Sequence, residues 1–171
     1  MRIIIAGDFC PGARTASVIE QGRYGEVLGK VQPIIEQADY SLVNFECPVV
    51  EDKKAEPIHK CGPNLRCNRN AVDAIKYAGF KGVTLANNHI MDYGKEGLID
   101  TINAFEKRDI DIVGAGRNSA EASIVLYKQV QGKTVAFINC CEHDFSVATE
   151  SDYGANGLNP IQQYYSIKEA K

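Results

Sequence analysis

Short polar side chains follow three apolar runs of the sequence, at the points where buried strands would end. Asp8 follows the first run, and Asn44 and Glu46 end the second. Asn88 and His89 follow the third. Ligands in open α/β sheets bind beyond the carboxyl ends of the strands, so parallel neighbours would gather these groups around one crevice. Oxygen donors with an imidazole suit Mn²⁺, Mg²⁺, Fe²⁺ or Zn²⁺, and the pattern predicts a divalent metal site.

Each of these residues also has a simpler interpretation. Asp8 could cap a turn, and Glu46 could be a carboxylate on a surface loop. Asn88 could occupy a left-handed turn, which asparagine tolerates, and a lone histidine such as His89 is more often structural than catalytic. Asp92 fits the N-cap of the following helix, and we favour that role over metal ligation. Their joint placement at successive strand ends nevertheless favours a shared site.

Hydrophobic periodicity predicts the elements that would position these groups. Continuous apolar runs predict buried strands at residues 2–7, 40–45, 82–87 and 110–116, the first of them typical of a strand buried on both faces. Helical spacing predicts helices at residues 24–38, 69–78 and 95–108. Two further apolar stretches joined at Gln131-Gly132 predict a hairpin. The alternation of strands and helices predicts an α/β fold with a mostly parallel sheet.

Composition bears on the class of protein and its partners. The 171 residues suggest one domain, and 19 basic against 22 acidic residues, without a basic stripe, disfavour a nucleic-acid partner. No signal peptide is visible, and no apolar stretch approaches the roughly 20 residues that cross a bilayer. We therefore expect a cytoplasmic protein with reduced cysteines and no membrane segment. Cys61 and Cys67 lack a second pair at zinc spacing, so we interpret them as part of a plain loop, with a structural zinc as the alternative.

The end of the sequence predicts one more helix. Pro160 stands at a plausible first helical position, and the apolar residues Ile161, Tyr164, Tyr165 and Ile167 follow in helical register. The sequence stops inside this helix without a C-cap. We therefore expect residues 1–171 to be a single domain that is truncated at its C-terminal end.

Three stretches of the sequence resemble the CapA family, the poly-γ-glutamate capsule biosynthesis proteins. They are "GDFCPG", "ADYSLVNFECPV" and the long stretch at residues 79–122 that contains "LANNHIMDYG". The similarity runs from residue 3 to about residue 140, and the long stretch is the most specific part. This family belongs to the calcineurin-like metallophosphoesterase superfamily. The resemblance implies an α/β/β/α sandwich, of which this chain would be the N-terminal part, with a mostly parallel sheet plus a hairpin.

The resemblance also implies roles for individual residues around a metal centre that is usually binuclear. Asp8 matches the first-motif aspartate that ligates metal. Glu46, together with Asn44, falls where the second motif supplies a bridging carboxylate. Asn88 matches the asparagine ligand of the superfamily's "GNH" motif. His89 matches the histidine that contacts the substrate phosphate or assists the leaving group.

The sequence departs from the superfamily pattern at several points. Cys10 stands where superfamily enzymes often have a histidine, and we interpret it as a small apolar residue rather than a ligand. The later histidines of the family, in "HWG" and "GHHPH"-like motifs, are absent, and His143 in "CCEHDF" matches neither motif. At least two imidazole ligands are therefore missing. We expect a missing C-terminal portion to complete the site.

These features favour a metal-dependent hydrolase of the metallophosphoesterase type, acting on a phosphoester or a related bond and linked to capsule or poly-γ-glutamate metabolism. Its substrate would be a small or polymeric anion. A second enzyme hypothesis keeps the metal and changes the bond to an amide of poly-γ-glutamate or another anionic polymer. The alternative is a non-catalytic binding or assembly subunit for such a polymer, with a degenerate metal site.

Overall fold

A parallel sheet of four strands lies at the centre of the computed structural model, which describes residues 1–52, 54–142 and 145–171. In spatial order the strands are β1 (Ile3–Phe9), β2 (Tyr40–Phe45), β3 (Gly82–Thr84) and β4 (Asp111–Val113). All neighbouring pairs are parallel, so the carboxyl ends of all four strands lie at the same edge. The predicted α/β class with a mostly parallel sheet is confirmed.

Helices connect the strands and follow them. The described residues form α1 (Ala13–Glu20), α2 (Tyr24–Leu28), α3 (Gln32–Ile35), α4 (Asn70–Tyr77), α5 (Gly94–Glu106), α6 (Ser119–Ala122) and α7 (Pro160–Ala170). The helices predicted at residues 69–78 and 95–108 are confirmed as α4 and α5. The periodicity did not indicate α1 or α6.

The prediction of one continuous helix over residues 24–38 is wrong, because the chain breaks between α2 and α3. Pro33 lies in the first turn of α3. In a continuous helix its ring would clash with the carbonyl group of Gly29, and it has no N–H group to donate. The helix therefore ends at Leu28 and begins again at Gln32.

One hydrophobic cluster joins the sheet to α4 and α5. Phe45 of β2 and Phe105 of α5 are fully buried, and their rings meet edge to face with 4.8 Å between centroids. Val83 of β3 and Ile75 of α4 are also fully buried in this cluster. The ends of β2 and β3 are therefore supported by close packing.

The prediction that the first strand is buried on both faces is wrong. β1 lies at the edge of the sheet, and Ile5 is 70% exposed. A continuous apolar run does not specify where its strand lies in the sheet. That position depends on the spatial order of the strands, which is a property of the whole fold.

The predicted fourth strand over residues 110–116 is divided into two strands of different sheets. Gly114 has a φ of 99°, a left-handed conformation that favours glycine, and it separates β4 from β5 (Ala115–Gly116). β5 pairs in an antiparallel manner with a strand much later in the chain, β8 (Gly154–Ala155). The chain therefore leaves the parallel sheet at Gly114.

The predicted hairpin is confirmed as β6 (Leu126–Val130) and β7 (Lys133–Phe137). Gln131 and Gly132 both have positive φ, at 49° and 74°, as a two-residue turn of the primed type requires. The hairpin packs against the central sheet at Tyr40, whose ring lies 5.1 Å from that of Phe137.

The predicted C-terminal helix is confirmed as α7. The side chain of Asn159 accepts hydrogen bonds from the N–H groups of Ile161 and Gln162, and Pro160 occupies the first turn. The apolar side chains of α7, such as Ile161 and Tyr164, are exposed. Within the three described ranges, no helix has the length and apolar character needed to cross a membrane.

We expect the Phe105→Ala variant to lose about 3–5 kcal/mol of unfolding free energy, because it leaves a cavity beside Phe45 in the packed core. Urea denaturation measures this loss. The control variant Ile161→Ala removes a side chain that is 71% exposed, and its stability should change by less than about 0.5 kcal/mol. Equal losses for the two variants would show that Phe105 does not support the core.

Candidate functional site

The carboxyl ends of β1 and β2 bring Asp8 and Asn44 into contact. The strand register shifts between Ala6 and Asp8, so that Asp8 lies opposite Asn44. The Asn44 Nδ2 group donates a hydrogen bond of 2.8 Å to Asp8 Oδ1. Asp8 is exposed, which leaves its carboxylate accessible to a ligand from solvent.

Asn44 connects all three strand ends through its side-chain oxygen. Its Oδ1 atom accepts hydrogen bonds from Thr84 Oγ1 at 3.2 Å and from Asn87 Nδ2 at 3.3 Å. The Asn44 oxygen is hydrogen-bonded to β3 and to the loop that follows, which fixes the amide group. The Asn44 nitrogen, which donates to Asp8, therefore orients the Asp8 carboxylate. To ligate a metal, the Asn44 oxygen would have to exchange these partners.

Asn87 shapes the turn that presents Asn88. The buried Asn87 side chain donates to the Phe45 carbonyl at 3.0 Å and accepts from the His89 N–H at 3.0 Å. Asn88 is exposed, and in the described part of the chain its side chain has no hydrogen-bond partner. The interpretation of Asn88 as a left-handed turn residue is wrong, because its φ is not positive.

The prediction that Asp92 is the N-cap of α5 is also wrong. The N-cap of this helix is Tyr93, and its side chain makes no capping hydrogen bond. The Asp92 side chain is fully buried, and its Oδ2 atom lies 2.7 Å from His89 Nδ1 and accepts a hydrogen bond of 2.6 Å from the Leu65 N–H. Its other oxygen forms an ion pair with Lys60. The carboxylate turns inward because its donors lie there.

Lys60 is a residue of the site that sequence reasoning missed. It lies between β2 and α4, within residues 47–66, a stretch that we call the excursion. Three prolines and several charges in this stretch predict an irregular connection. A lysine in such a segment is normally solvated. The Lys60 side chain is only 2% exposed, and no local pattern in the sequence indicates this burial.

Glu46 lies in the negative field of two other carboxylates. It follows β2 and is half-buried, with its N–H donating to the Phe9 carbonyl at 3.1 Å. Burial is the main cause that raises the pKa of Glu46, and the charges of Asp8 and Asp92 raise it further, while His89 lowers it. These carboxylates therefore give this edge of the sheet a negative potential, in which a cation would be stabilised.

Cys10, Cys47 and Cys67 form a chain of interacting thiols. Hydrogen bonding with Cys47, together with burial, raises the pKa of Cys10. The hydrogen bond with Cys10 lowers the pKa of the buried Cys47, but the hydrogen bond with Cys67 and burial together outweigh it, so that this pKa is also raised. Protonated thiols are poor metal ligands, which agrees with the interpretation of Cys10 as a small apolar residue. Cys61 is exposed whereas Cys67 is buried.

The donor set at the strand ends fits a hard divalent cation in its chemistry. Carboxylates from Asp8 and Glu46 and the amide oxygen of Asn88 are the ligand types that Mn²⁺ and Mg²⁺ prefer. Among the residues that the structure describes, no group of three His, Cys, Asp or Glu side chains is arranged to hold a metal ion by itself. His143 lies outside the described residues.

Comparison with known families identifies the class of protein that has this fold and these strand-end residues. Residues 2–169 match the family described as "Bacterial capsule synthesis protein PGA_cap". The match covers nearly the whole chain, and the chain belongs to this family. The resemblance to CapA proteins in its sequence motifs is thereby confirmed.

Particular relatives are similar to this chain over different lengths. The alignment with the capsule biosynthesis protein CapA of Bacillus anthracis is 35% identical over 176 residues. It covers 100% of this chain and 42% of that protein. The alignment with the PGA biosynthesis protein CapA of Bacillus subtilis is 37% identical over 131 residues. It covers 76% of this chain and 34% of that protein. A probable polyglutamine synthesis accessory protein of Mycobacterium tuberculosis is 33% identical over 94 residues, which cover 54% of this chain and 23% of that protein. The chain thus spans less than half the length of these relatives.

We expect the Glu46→Gln variant to be more stable than the wild type in metal-free buffer at neutral pH. The pKa of Glu46 is raised in the folded state above its ordinary value of 4.5. Below pH 4.5 the carboxyl group is protonated in both the folded and the unfolded state, and the variant gains no stability over the wild type. As the pH rises above 4.5, the unfolded chain ionises first and the wild type loses stability, until the folded group ionises as well.

Chemical denaturation in the presence of a chelator, at about pH 3.5 and about pH 7.5, measures this difference. The control is Glu106→Gln, an exposed glutamate at the end of α5. Adding Mn²⁺ at neutral pH should raise the melting temperature of the wild type more than that of Glu46→Gln. A wild type that is more stable than the variant in chelator would contradict the assigned repulsion.

Proposed function

We propose that this chain takes part in the biosynthesis of a capsule polymer of the poly-γ-glutamate type. The names of its relatives, a capsule biosynthesis protein and a PGA biosynthesis protein, support this role. Within it, we propose a metal-dependent hydrolase of the metallophosphoesterase type that acts on a phosphoester or a related bond of an anionic substrate.

The observation that carries the hydrolase proposal is the crowding of carboxylates at one edge of the sheet. Asp8 and Asp92 both raise the pKa of Glu46, so their charges act on the same small region. The Asn88 amide, which is exposed and has no hydrogen-bond partner among the described residues, follows the third strand at this edge. A divalent ion would relieve the repulsion and gain oxygen ligands that the fold already supplies.

Each residue of the chain has a distinct part in this proposal. Asp8 and Glu46 would hold the ion and offset its charge, Asn88 would add a neutral oxygen, and Asn44 would orient Asp8 or exchange its partners to become a ligand. The ion, of which there are two in the usual family centre, would act as a Lewis acid that polarises a phosphoryl oxygen and activates water. His89, held by Asp92 at Nδ1, would use Nε2 to hydrogen-bond the developing oxyanion or to transfer a proton to the leaving oxygen.

The proposed metal centre also needs histidine ligands that this sequence lacks. The imidazole-bearing "HWG" and "GHHPH"-like motifs of the family have no counterpart among these 171 residues. We propose that a C-terminal portion of the native protein supplies those ligands and completes the centre. The exposed apolar side chains of Ile5 on β1 and of Ile161 and Tyr164 on α7 are compatible with such an addition, because exposed apolar surface is typical of interfaces.

Two other functions remain as alternatives within capsule synthesis. A metal at the same site would equally polarise an amide carbonyl, so the bond could belong to an anionic polyamide. A binding or assembly subunit for an anionic polymer is favoured by one observation, the lack of a three-residue metal cluster among the described residues. A comparison of phosphoesters with an anionic polyamide as substrates distinguishes the amide hydrolase from the phosphoester hydrolase. The metal content of the purified protein distinguishes the binding subunit from both enzymes.

We expect Asp8→Ala to abolish metal-stimulated hydrolysis of an aryl phosphate by the full-length protein, because it removes a charged ligand. His89→Ala should lower kcat by about 100- to 10,000-fold, the usual contribution of a general acid or base. The matched controls are Asp52→Ala and His59→Ala, which change exposed residues and should retain wild-type turnover. Unchanged turnover in both site variants would refute the hydrolase.

Metal analysis of the purified full-length protein distinguishes the enzyme from the binding subunit. We expect stoichiometric Mn, Fe, Zn or Mg in the wild type and a reduced content in Asp8→Ala. A wild type that holds no metal and binds poly-γ-glutamate would instead support the binding subunit. Cleavage of that polymer, with no action on phosphoesters, would support the amide alternative.

A further inference from the structure

Lys60 is a buried lysine next to the histidine of the candidate site. Its Nζ atom forms an ion pair with Asp92 Oδ1, lies 3.1 Å from His89 Nδ1, and sits 4.9 Å from the centroid of the Phe145 ring. The side chains of Lys60 and Asp92 are 2% and 0% exposed. Removing a lysine from water is costly unless the charge is paired, so this position requires a physical reason.

Attachment of the excursion to the site does not by itself require Lys60. The Ile58 N–H donates to the Asp92 carbonyl at 2.9 Å, and the Leu65 N–H donates to the Asp92 carboxylate at 2.6 Å. These two backbone hydrogen bonds already fasten residues 58–65 to the loop after β3. An apolar side chain at position 60 would fill the same volume without the desolvation of a charge.

The contacts of Asp92 determine how the His89 ring is held. His89 Nδ1 lies 2.7 Å from Asp92 Oδ2 and 3.1 Å from Lys60 Nζ. A carboxylate can only accept, so we infer that the neutral ring carries its proton on Nδ1 and donates it to the nearer Asp92 oxygen. Lys60 therefore has no acceptor at that nitrogen, and its charge acts on Asp92 Oδ1 instead. With one oxygen held by Lys60 and the other by Leu65 and His89, the carboxylate cannot rotate without breaking an ion pair.

We propose that Lys60 is a positioning residue for His89, because it fixes the carboxylate of Asp92 that orients the imidazole ring. Lys60 does not itself contact substrate, since its side chain is buried. Its effect on the ring follows from geometry alone, whereas its effect on turnover rests on the proposed hydrolase function. If Lys60 served stability only, the state of the ring would not depend on it.

The first test uses the wild-type chain without substitution. The sequence has only 3 histidines, so ring nitrogen resonances in a ¹⁵N NMR spectrum can be assigned with a His89→Gln variant. We expect the neutral His89 ring to be protonated at Nδ1, with a slowly exchanging N–H signal. Protonation at Nε2 instead would make Nδ1 an acceptor for Lys60 and would overturn the proposal whether or not any variant folds.

The second test removes the charge of Lys60 and keeps most of its volume. In Lys60→Met we expect the Nδ1–H signal of His89 to broaden or vanish, because Asp92 Oδ1 has lost its partner. In the full-length protein, kcat should fall about 10- to 100-fold while KM stays within about twofold of the wild type, as expected for a misplaced catalytic group. Lys60→Arg should restore part of both losses. Lys95→Met, which changes an exposed lysine of α5, should affect neither.

The outcomes separate this proposal from the proposed function. A folded Lys60→Met protein with an unchanged Nδ1–H signal and wild-type kcat would show that Lys60 only stabilises the fold, which overturns the positioning role. Absence of hydrolysis in the wild type would refute the hydrolase. The NMR result would still decide the positioning role in that case.

Discussion

The Asp92 carboxylate is fully buried, and a buried carboxylate must be matched by a cation and by hydrogen-bond donors. In this protein its partners come from two separate parts of the chain. Lys60 and Leu65 belong to the excursion after β2, and His89 belongs to the loop after β3. Satisfying one buried charge therefore brings the excursion, the loop and the start of α5 into a single arrangement, and the orientation of the histidine depends on it.

At the accessible part of the site, around Asp8 and Glu46, negative charges repel one another instead of being paired with a cation from the described part of the chain. Among the described residues, Asp8 accepts a hydrogen bond from the neutral amide of Asn44 rather than from a cation. The pKa of Glu46 is raised by burial and by the neighbouring carboxylates. The parallel sheet holds these groups together because its strands end at one edge and are supported by the packed Phe45 and Phe105 rings. Repulsion that the fold maintains in this way is the usual electrostatic basis of a cation site. The two charge environments lie side by side, and Asp92 contributes to both.

Much of the fold was predictable from local patterns. The strand at Tyr40–Phe45 matches its prediction residue for residue, and the hairpin turn at Gln131 and Gly132 follows from its turn residues. Convergence of Asp8 and Asn44 was also expected, because parallel strands end at the same edge. Some errors were local, such as the helix break at Pro33, whereas others arose where distant residues compete with local preference. Asp92 has the chemistry of an N-cap, but the buried Lys60 and the Leu65 N–H are better partners than the first turn of α5.

The sequence by itself determined the α/β class, the family and the kinds of side chain that end the strands, because periodicity, turn residues and motifs are local properties. Only the tertiary structure decided that β1 lies at the edge of the sheet, that Asn44 orients Asp8, and that Lys60 is buried against Asp92 and His89. The physical reason is that burial and charge pairing depend on which distant segments meet. The same lysine would be solvated in an isolated loop and becomes a fixed counter-ion only where the fold removes its water.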